Sequence, residues 1–214
     1  LTSVVVEDLG VFRREQEWPI ARTRSTPMYL RAEGSLVSDS LTDGAADERD
    51  TLRFDPRAGA GTRFYGGGPF NLNGVMPLDL RADEHLSLTY TSPPLEDATE
   101  VTGSPHLVLF VSTEARTALV VAKLCDVAPD GTAALVTTGC LNLCHRHSHS
   151  HPTELDPGRI YRVELELMAC AYRFAKGHCI RLALAHADVW NVWPTPATGV
   201  SFIHRGAANP SCLV

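Results

Sequence analysis

The second half of the chain, from Leu86 to Gly199, alternates apolar and polar positions with a period of two residues. The clearest case is residues 161–167, where Arg162, Glu164 and Glu166 separate apolar residues. This pattern is typical of a strand with one buried face. It predicts that Tyr161, Val163, Leu165 and Leu167 are buried and, by the same rule, Ile180, Leu182 and Leu184. Because strands follow strands without long amphipathic helices between them, the pattern predicts an all-β fold and excludes an α/β catalytic core.

Turn residues divide these strands. Pro129-Asp130-Gly131 separates residues 117–127 from residues 132–144 and predicts a hairpin, because proline presets φ and glycine admits positive φ. Asp156-Pro157-Gly158 predicts a second turn of the same kind. Residues 106–112 are apolar on both faces, as in a strand inside a sandwich or under a neighbouring layer. No repeat of fixed period is evident, so the pattern favours a β-sandwich over a propeller or solenoid.

The first half of the chain is less regular. Residues 3–7 and 27–31 have strand patterns. Residues 32–50 are polar and end in an acidic run, and residues 56–78 contain six glycines, so both ranges are predicted to be irregular excursions. The glycine spacing fits no phosphate-binding loop. Since no linker separates two cores, we expect a single domain over residues 1–214.

Composition and charge exclude several classes of partner. The formal net charge is -6, so neither nucleic acid nor an anionic membrane is an expected partner. No apolar run approaches the roughly 20 residues of a spanning helix, and the first residues do not form a signal-peptide pattern. The six cysteines contain no C-x-x-C pair and are predicted to be small buried hydrophobes in a reducing compartment. We therefore expect a cytoplasmic protein.

Several motifs carry a resemblance to a known family. They are Thr91-Ser92-Pro93-Pro94-Leu95, the hairpin segment 124–131, Leu155-Asp156-Pro157-Gly158, and Gly177-His178 through Arg181-Leu182. These segments resemble the C-terminal domain of the CocE/NonD serine hydrolases, a domain type also found in X-Pro dipeptidyl-peptidases. The resemblance implies a jelly-roll β-sandwich similar to galactose-binding domains. The tail after Gly199 departs from it, which predicts that a final strand is altered or absent.

The resemblance also implies a function. In this family the catalytic triad lies in a separate α/β-hydrolase domain, and no Gly-x-Ser-x-Gly nucleophile motif occurs in these 214 residues. We therefore expect an accessory domain that is inactive alone, binds no cofactor and packs on a hydrolase domain of the same or a separate chain. That hydrolase would act on esters, amides or X-Pro peptides. If the chain stands alone, we expect it to self-associate through an exposed apolar surface or to cover that surface with the glycine-rich range. The alternative is a standalone carbohydrate- or ligand-binding jelly-roll module.

Two groups of residues are candidates for a binding site. Trp190 and Trp193, with Asn191, form an aromatic segment that is suited to a ligand platform or a domain interface. Four alternating histidines would share one side of an extended strand, and imidazoles are common metal ligands. No carboxylate lies among them to orient the rings, so a solvated connection is the favoured interpretation and a metal site the weak alternative. These histidines are His145, His147, His149 and His151.

Overall fold

The computed structural model describes residues 2–6, 11–39, 48–59, 79–189, 191–193, 195–196 and 199–214. These residues are nearly all β-structure, as the alternation predicted. The strands are β1 (Thr2–Val6), β2 (Val11–Glu15), β3 (Met28–Leu30), β4 (Leu36–Val37), β5 (Glu48–Arg53), β6 (Leu88–Thr91), β7 (Thr99–Gly103), β8 (His106–Thr113), β9 (Leu119–Val127), β10 (Ala133–Asn142), β11 (Tyr161–Glu166), β12 (Cys170–Phe174), β13 (Cys179–Ala185), β14 (Val200–Arg205) and β15 (Cys212–Leu213). In the described ranges, helical structure is limited to one turn, α1 (Arg81–Glu84), and 3-10 turns at Ala32–Gly34 and Leu143–His145. Among the described residues, no helix has the length and apolar character needed to span a membrane.

Two larger antiparallel sheets enclose the main core. One has four strands in the order β10-β9-β13-β6. The other has seven, ordered β4-β3-β15-β8-β14-β5, with β11 on the opposite edge of β8. Two smaller pairs, β1-β2 and β7-β12, complete the described sheets. The core between the large sheets joins apolar side chains of β8, β11 and β14 to those of β9 and β13, so the architecture is a sandwich.

The predicted core positions are confirmed. Tyr161, Val163 and Leu165 on β11, Leu167, and Ile180, Leu182 and Leu184 on β13 are each at most 8% exposed, and Glu164 and Glu166 face solvent. The hairpin of β9 and β10 closes at Gly131, whose φ is +86°, and the second turn contains Gly158 at φ +80°. Both positions require the left-handed conformation that glycine adopts readily.

The strand that is buried on both faces is β9, whereas the composition had predicted residues 106–112. Every residue of β9 is buried, whereas in β8 Val108 and Phe110 alternate half-buried with fully buried neighbours. Leu80, just before α1, packs with Cys125 and Val127 on the outer face of β9. The chain therefore adds an outer layer to the four-stranded sheet.

Three sequence expectations need correction. Val200–Arg205 and Cys212–Leu213 both pair with β8, so the tail supplies central strands and the expected altered or absent final strand is wrong. The range 32–50 contains β4 and the start of β5, while residues 40–47 and most of the glycine-rich range 56–78 lie outside the described residues. All six cysteines are free, but only Cys125 and Cys212 are buried, and Cys140 is exposed at the end of β10.

Candidate functional site

The aromatic segment leaves the four-stranded sheet where β13 ends. Trp193 is 91% exposed, the largest exposed fraction among the large apolar side chains, and Val189 on the same segment is 38% exposed. Trp190 lies outside the described residues. A large aromatic side chain held in water exposes an apolar surface that is typical of an interaction site.

A buried carboxylate anchors this segment. Asp188 Oδ1 lies 3.3 Å from Lys123 Nζ, and both side chains are less than 10% exposed. The second oxygen of Asp188 accepts a hydrogen bond from Asn191 Nδ2 at 3.0 Å. The backbone oxygen of Asp188 accepts from the N–H groups of Asn191 and Val192 at 2.8 and 2.9 Å. Asn191, which is half-buried, therefore closes the turn that presents Trp193.

Residues 55–59 pack directly against the same turn. The Ala58 oxygen accepts a hydrogen bond from Val189 N at 3.2 Å. Gly59 has φ +85°, and a Cβ atom there would fall 2.6 Å from the Cα of Asp188. Only a glycine fits so close an approach in this conformation. Asp55 accepts hydrogen bonds from the Arg57 backbone and guanidinium, and the guanidinium lowers the pKa of Asp55 to about 2.

The described start of the glycine-rich range therefore contacts the residues that lead into the aromatic segment: Gly59 approaches Asp188, and Ala58 bonds to Val189. We call residues 55–59, 188–189 and 191–193 the loop platform. Its base is rigid because buried charge and backbone hydrogen bonds hold it, and its outer face carries Val189 and Trp193. Because these loops are already held in place, a partner that binds them would not incur the entropic cost of ordering them.

The four histidines do not form the extended row that the alternation suggested. His145 ends a 3-10 turn, and residues 146–151 form bends. His145 Nδ1 lies 3.1 Å from the backbone oxygen of His149, and the two rings stack with centroids 5.9 Å apart. Among the residues described, no group of three His, Cys, Asp or Glu side chains is placed to hold a metal ion. The geometry favours the solvated connection.

A cleft that the sequence analysis missed lies elsewhere, between residues 20–28 and 99–106. Its volume is about 650 Å³, within the usual range for ligand sites, and its apolar floor includes Leu124, Ile180 and Leu213. Arg22 and Arg24 are at its rim. No periodic pattern marks such a cleft, because its lining comes from segments far apart in the sequence.

The comparisons with known proteins agree with this architecture. Residues 2–214 match the family model of the X-Pro dipeptidyl-peptidase C-terminal non-catalytic domain. The chain belongs to this family. Since the match extends to residue 214, the tail is part of the family domain, which explains why β14 and β15 lie within the sheet.

Relatives of this family domain are longer than the chain. The cocaine esterase of Rhodococcus sp. (strain MB1 Bresler) is 29% identical over 233 residues, which cover 98% of this chain and 40% of that protein. An aminopeptidase from a marine sediment Thaumarchaeota archaeon superposes with a TM-score of 0.79 at 19% identity, covering 99% of this chain and 39% of that one. A CocE/NonD family hydrolase from Staphylococcus aureus gives a TM-score of 0.73 at 18% identity, with coverages of 99% and 40%. The two structural matches show the fold alone, and the chain spans about two fifths of the length of each of these proteins.

This X-Pro dipeptidyl-peptidase C-terminal domain contains one carboxylate–imidazole pair that the sequence analysis missed. Asp126 is buried and accepts hydrogen bonds from His178 Nδ1 and the Tyr172 hydroxyl, each at 2.8 Å. These contacts tie β9 and β12 to the residue that precedes β13.

Proposed function

We propose that the chain is the accessory domain of a CocE/NonD-type serine hydrolase that acts on esters, amides or X-Pro peptides. In the intact enzyme it packs on an α/β-hydrolase domain, of the same or a separate chain, and shapes access to the active site. The family is described as non-catalytic, and about three fifths of each relative's length lies outside the part that this domain matches. We propose jelly-roll topology and a cytoplasmic location for this domain as well.

The observation that carries the docking proposal is the exposure of Trp193 on an anchored turn. An exposed tryptophan is unfavourable for an isolated domain, and tryptophan is enriched among residues that dominate binding energy at interfaces. Residues 56–59 of the glycine-rich range pack against the same turn, so the proposed contact surface includes them. Val108 and Phe110, half-buried on the outer face of β8, offer a second apolar surface.

The experiment begins with the reading frame that precedes Leu1. An α/β-hydrolase sequence with Gly-x-Ser-x-Gly is expected there or in a neighbouring frame, and its absence from both would overturn the proposal. In the full protein, Trp193→Ala is expected to lower kcat/KM and loosen the domain contact, as measured by limited proteolysis. Met168→Ala removes a side chain that is 51% exposed elsewhere and is expected to leave both unchanged.

A ligand-binding module is the second candidate, favoured by the cleft of about 650 Å³ with its apolar floor. This function predicts saturable binding of a glycan or small molecule by the isolated chain. A glycan array and a fragment screen monitored by NMR would detect it. Binding lost on Trp193→Ala would assign the ligand to the loop platform, and shifts confined to Val101 and Met28 would assign it to the cleft.

A further inference from the structure

A small cavity lies where the segment that carries Trp193 begins and ends. Its volume is about 10 Å³, and its lining includes Thr113, Thr117, His186, Gly199 and Ser201. His186 follows the last residue of β13, and Ser201 is the second residue of β14. These two residues therefore stand on either side of residues 187–200, where the chain leaves one sheet and enters the other.

Two residues that line this cavity each have a buried polar atom without a protein partner. His186 and Ser201 are 3% and 1% exposed. Neither His186 Nε2 nor Ser201 Oγ has a hydrogen bond within the protein. Since a buried polar group that lacks a partner is destabilising, two such groups on residues lining one cavity indicate a shared partner.

The chemistry of the two groups defines that partner. His186 Nδ1 lies 2.5 Å from the backbone oxygen of Leu119, and a carbonyl oxygen only accepts, so the proton is on Nδ1. Burial lowers the pKa of His186, opposed by the Leu119 and Leu52 carbonyls, and this favours the neutral ring. Nε2 is then an acceptor and the Ser201 hydroxyl a donor. A molecule that both donates and accepts can satisfy both.

We propose that one water molecule occupies this cavity, donates to His186 Nε2 and accepts from the Ser201 hydroxyl. A cavity of about this size holds a single water when at least two polar partners are present. The water links the end of β13 to the start of β14 and so closes the base of the Trp193-bearing segment. This positioning role, but not the water site itself, rests on the proposed docking function.

The water site is tested on the unmodified chain. A high-resolution crystal structure is expected to show one peak at about 2.7–3.2 Å from both Nε2 and Oγ. Long-range ¹⁵N NMR is expected to show a His186 ring protonated at Nδ1 alone. A dry cavity, or a ring protonated at Nε2 and directed at the Leu52 carbonyl, would overturn the proposal.

The positioning role is tested with two serine substitutions. Ser201→Ala removes one partner of the water, whereas Ser112→Ala removes a buried hydroxyl that bonds directly to His204 Nε2 at 2.8 Å in the neighbouring strand. Amide hydrogen exchange in residues 187–199 is expected to be about five-fold faster in Ser201→Ala, the size expected for one lost hydrogen bond, and unchanged in Ser112→Ala. Equal exchange in both variants would refute the positioning role. Because the readout needs no partner domain, it remains informative even if docking is not observed.

Discussion

Lys123 and Asp188 form an ion pair 3.3 Å long across 65 positions of sequence, with side chains only 7% and 2% exposed. The lysine lies on the outer face of β9, and the aspartate begins the turn that presents Trp193. Removing two charges from water is costly, so such a pair is retained only when both partners are well placed. The pair thus fixes the loop platform to the sandwich.

Breaking this pair is expected to destabilise the fold. Asp188→Asn leaves a buried ammonium without its counter-charge, which should lower the free energy of unfolding by about 3–5 kcal/mol in urea denaturation. The double variant Lys123→Met with Asp188→Asn removes both charges and should recover much of this loss. A loss below about 1 kcal/mol in the single variant would mean that the pair is not energetically coupled.

Gly59 offers a separate test of the contact between the two loops. Gly59→Ala and Gly158→Ala both place an alanine at φ of +80 to +85°, which costs about 1–2 kcal/mol of backbone strain. The added methyl at Gly158 meets open space, whereas at Gly59 it collides with the backbone of Asp188 and Val189. We expect Gly59→Ala to lower Tm further than Gly158→Ala. Equal Tm shifts of the two variants in differential scanning fluorimetry would show that the close approach of Gly59 to Asp188 does not contribute to stability.

The ion pair between Arg13 on β2 and Glu100 on β7 predicts that stability depends on pH. Arg13 donates two hydrogen bonds to Glu100, at 2.9 and 2.7 Å, and lowers the pKa of Glu100 to about 2. Because this pKa is below its unfolded value of about 4.3, the contribution of Glu100 to stability is complete above that pH. It is lost as the pH falls toward 2.

Urea denaturation between pH 5 and about 2 measures this effect. Glu100→Gln is expected to be less stable than the wild type at pH 5 and to lose less stability on acidification. Glu166→Gln removes an exposed carboxylate from β11 and should keep the wild-type slope. A Glu100→Gln slope equal to that of the wild type would contradict the assignment.

The isolated chain is expected to have no hydrolase activity. Acyl transfer needs a nucleophile, a base and an oxyanion hole, and the nucleophile motif does not occur in the sequence. Assays with p-nitrophenyl acetate and Gly-Pro-p-nitroanilide should give the blank rate. Turnover that a serine-directed inhibitor abolishes would show that the chain carries its own catalytic centre.

The sequence predicted those features that depend on neighbouring residues. The alternation over 161–167 located β11, and Pro129-Asp130-Gly131 located the β9–β10 hairpin. It failed where the deciding contact is distant. The residues around Lys123 in its apolar strand do not indicate that it pairs with Asp188. The hydrogen bond between Asp126 and His178 could not be predicted either, because the two residues are 52 positions apart. The alternation of the histidines could not by itself decide between an extended row and a connection, because alternation alone does not specify extended backbone.

The pairing of β15 has a consequence for the order in which the fold assembles. On one edge of β8, β14 and β15 lie end to end, and Ser211 joins them by accepting from Phe110 N and donating to the His204 oxygen. In the described part of this sheet, β3 and β4 are joined to β8 through residues 211–213. During synthesis, β3 and β4 therefore cannot join this sheet until residues 212–213 have left the ribosome. The sheet is completed after the domain has been translated, not during its translation.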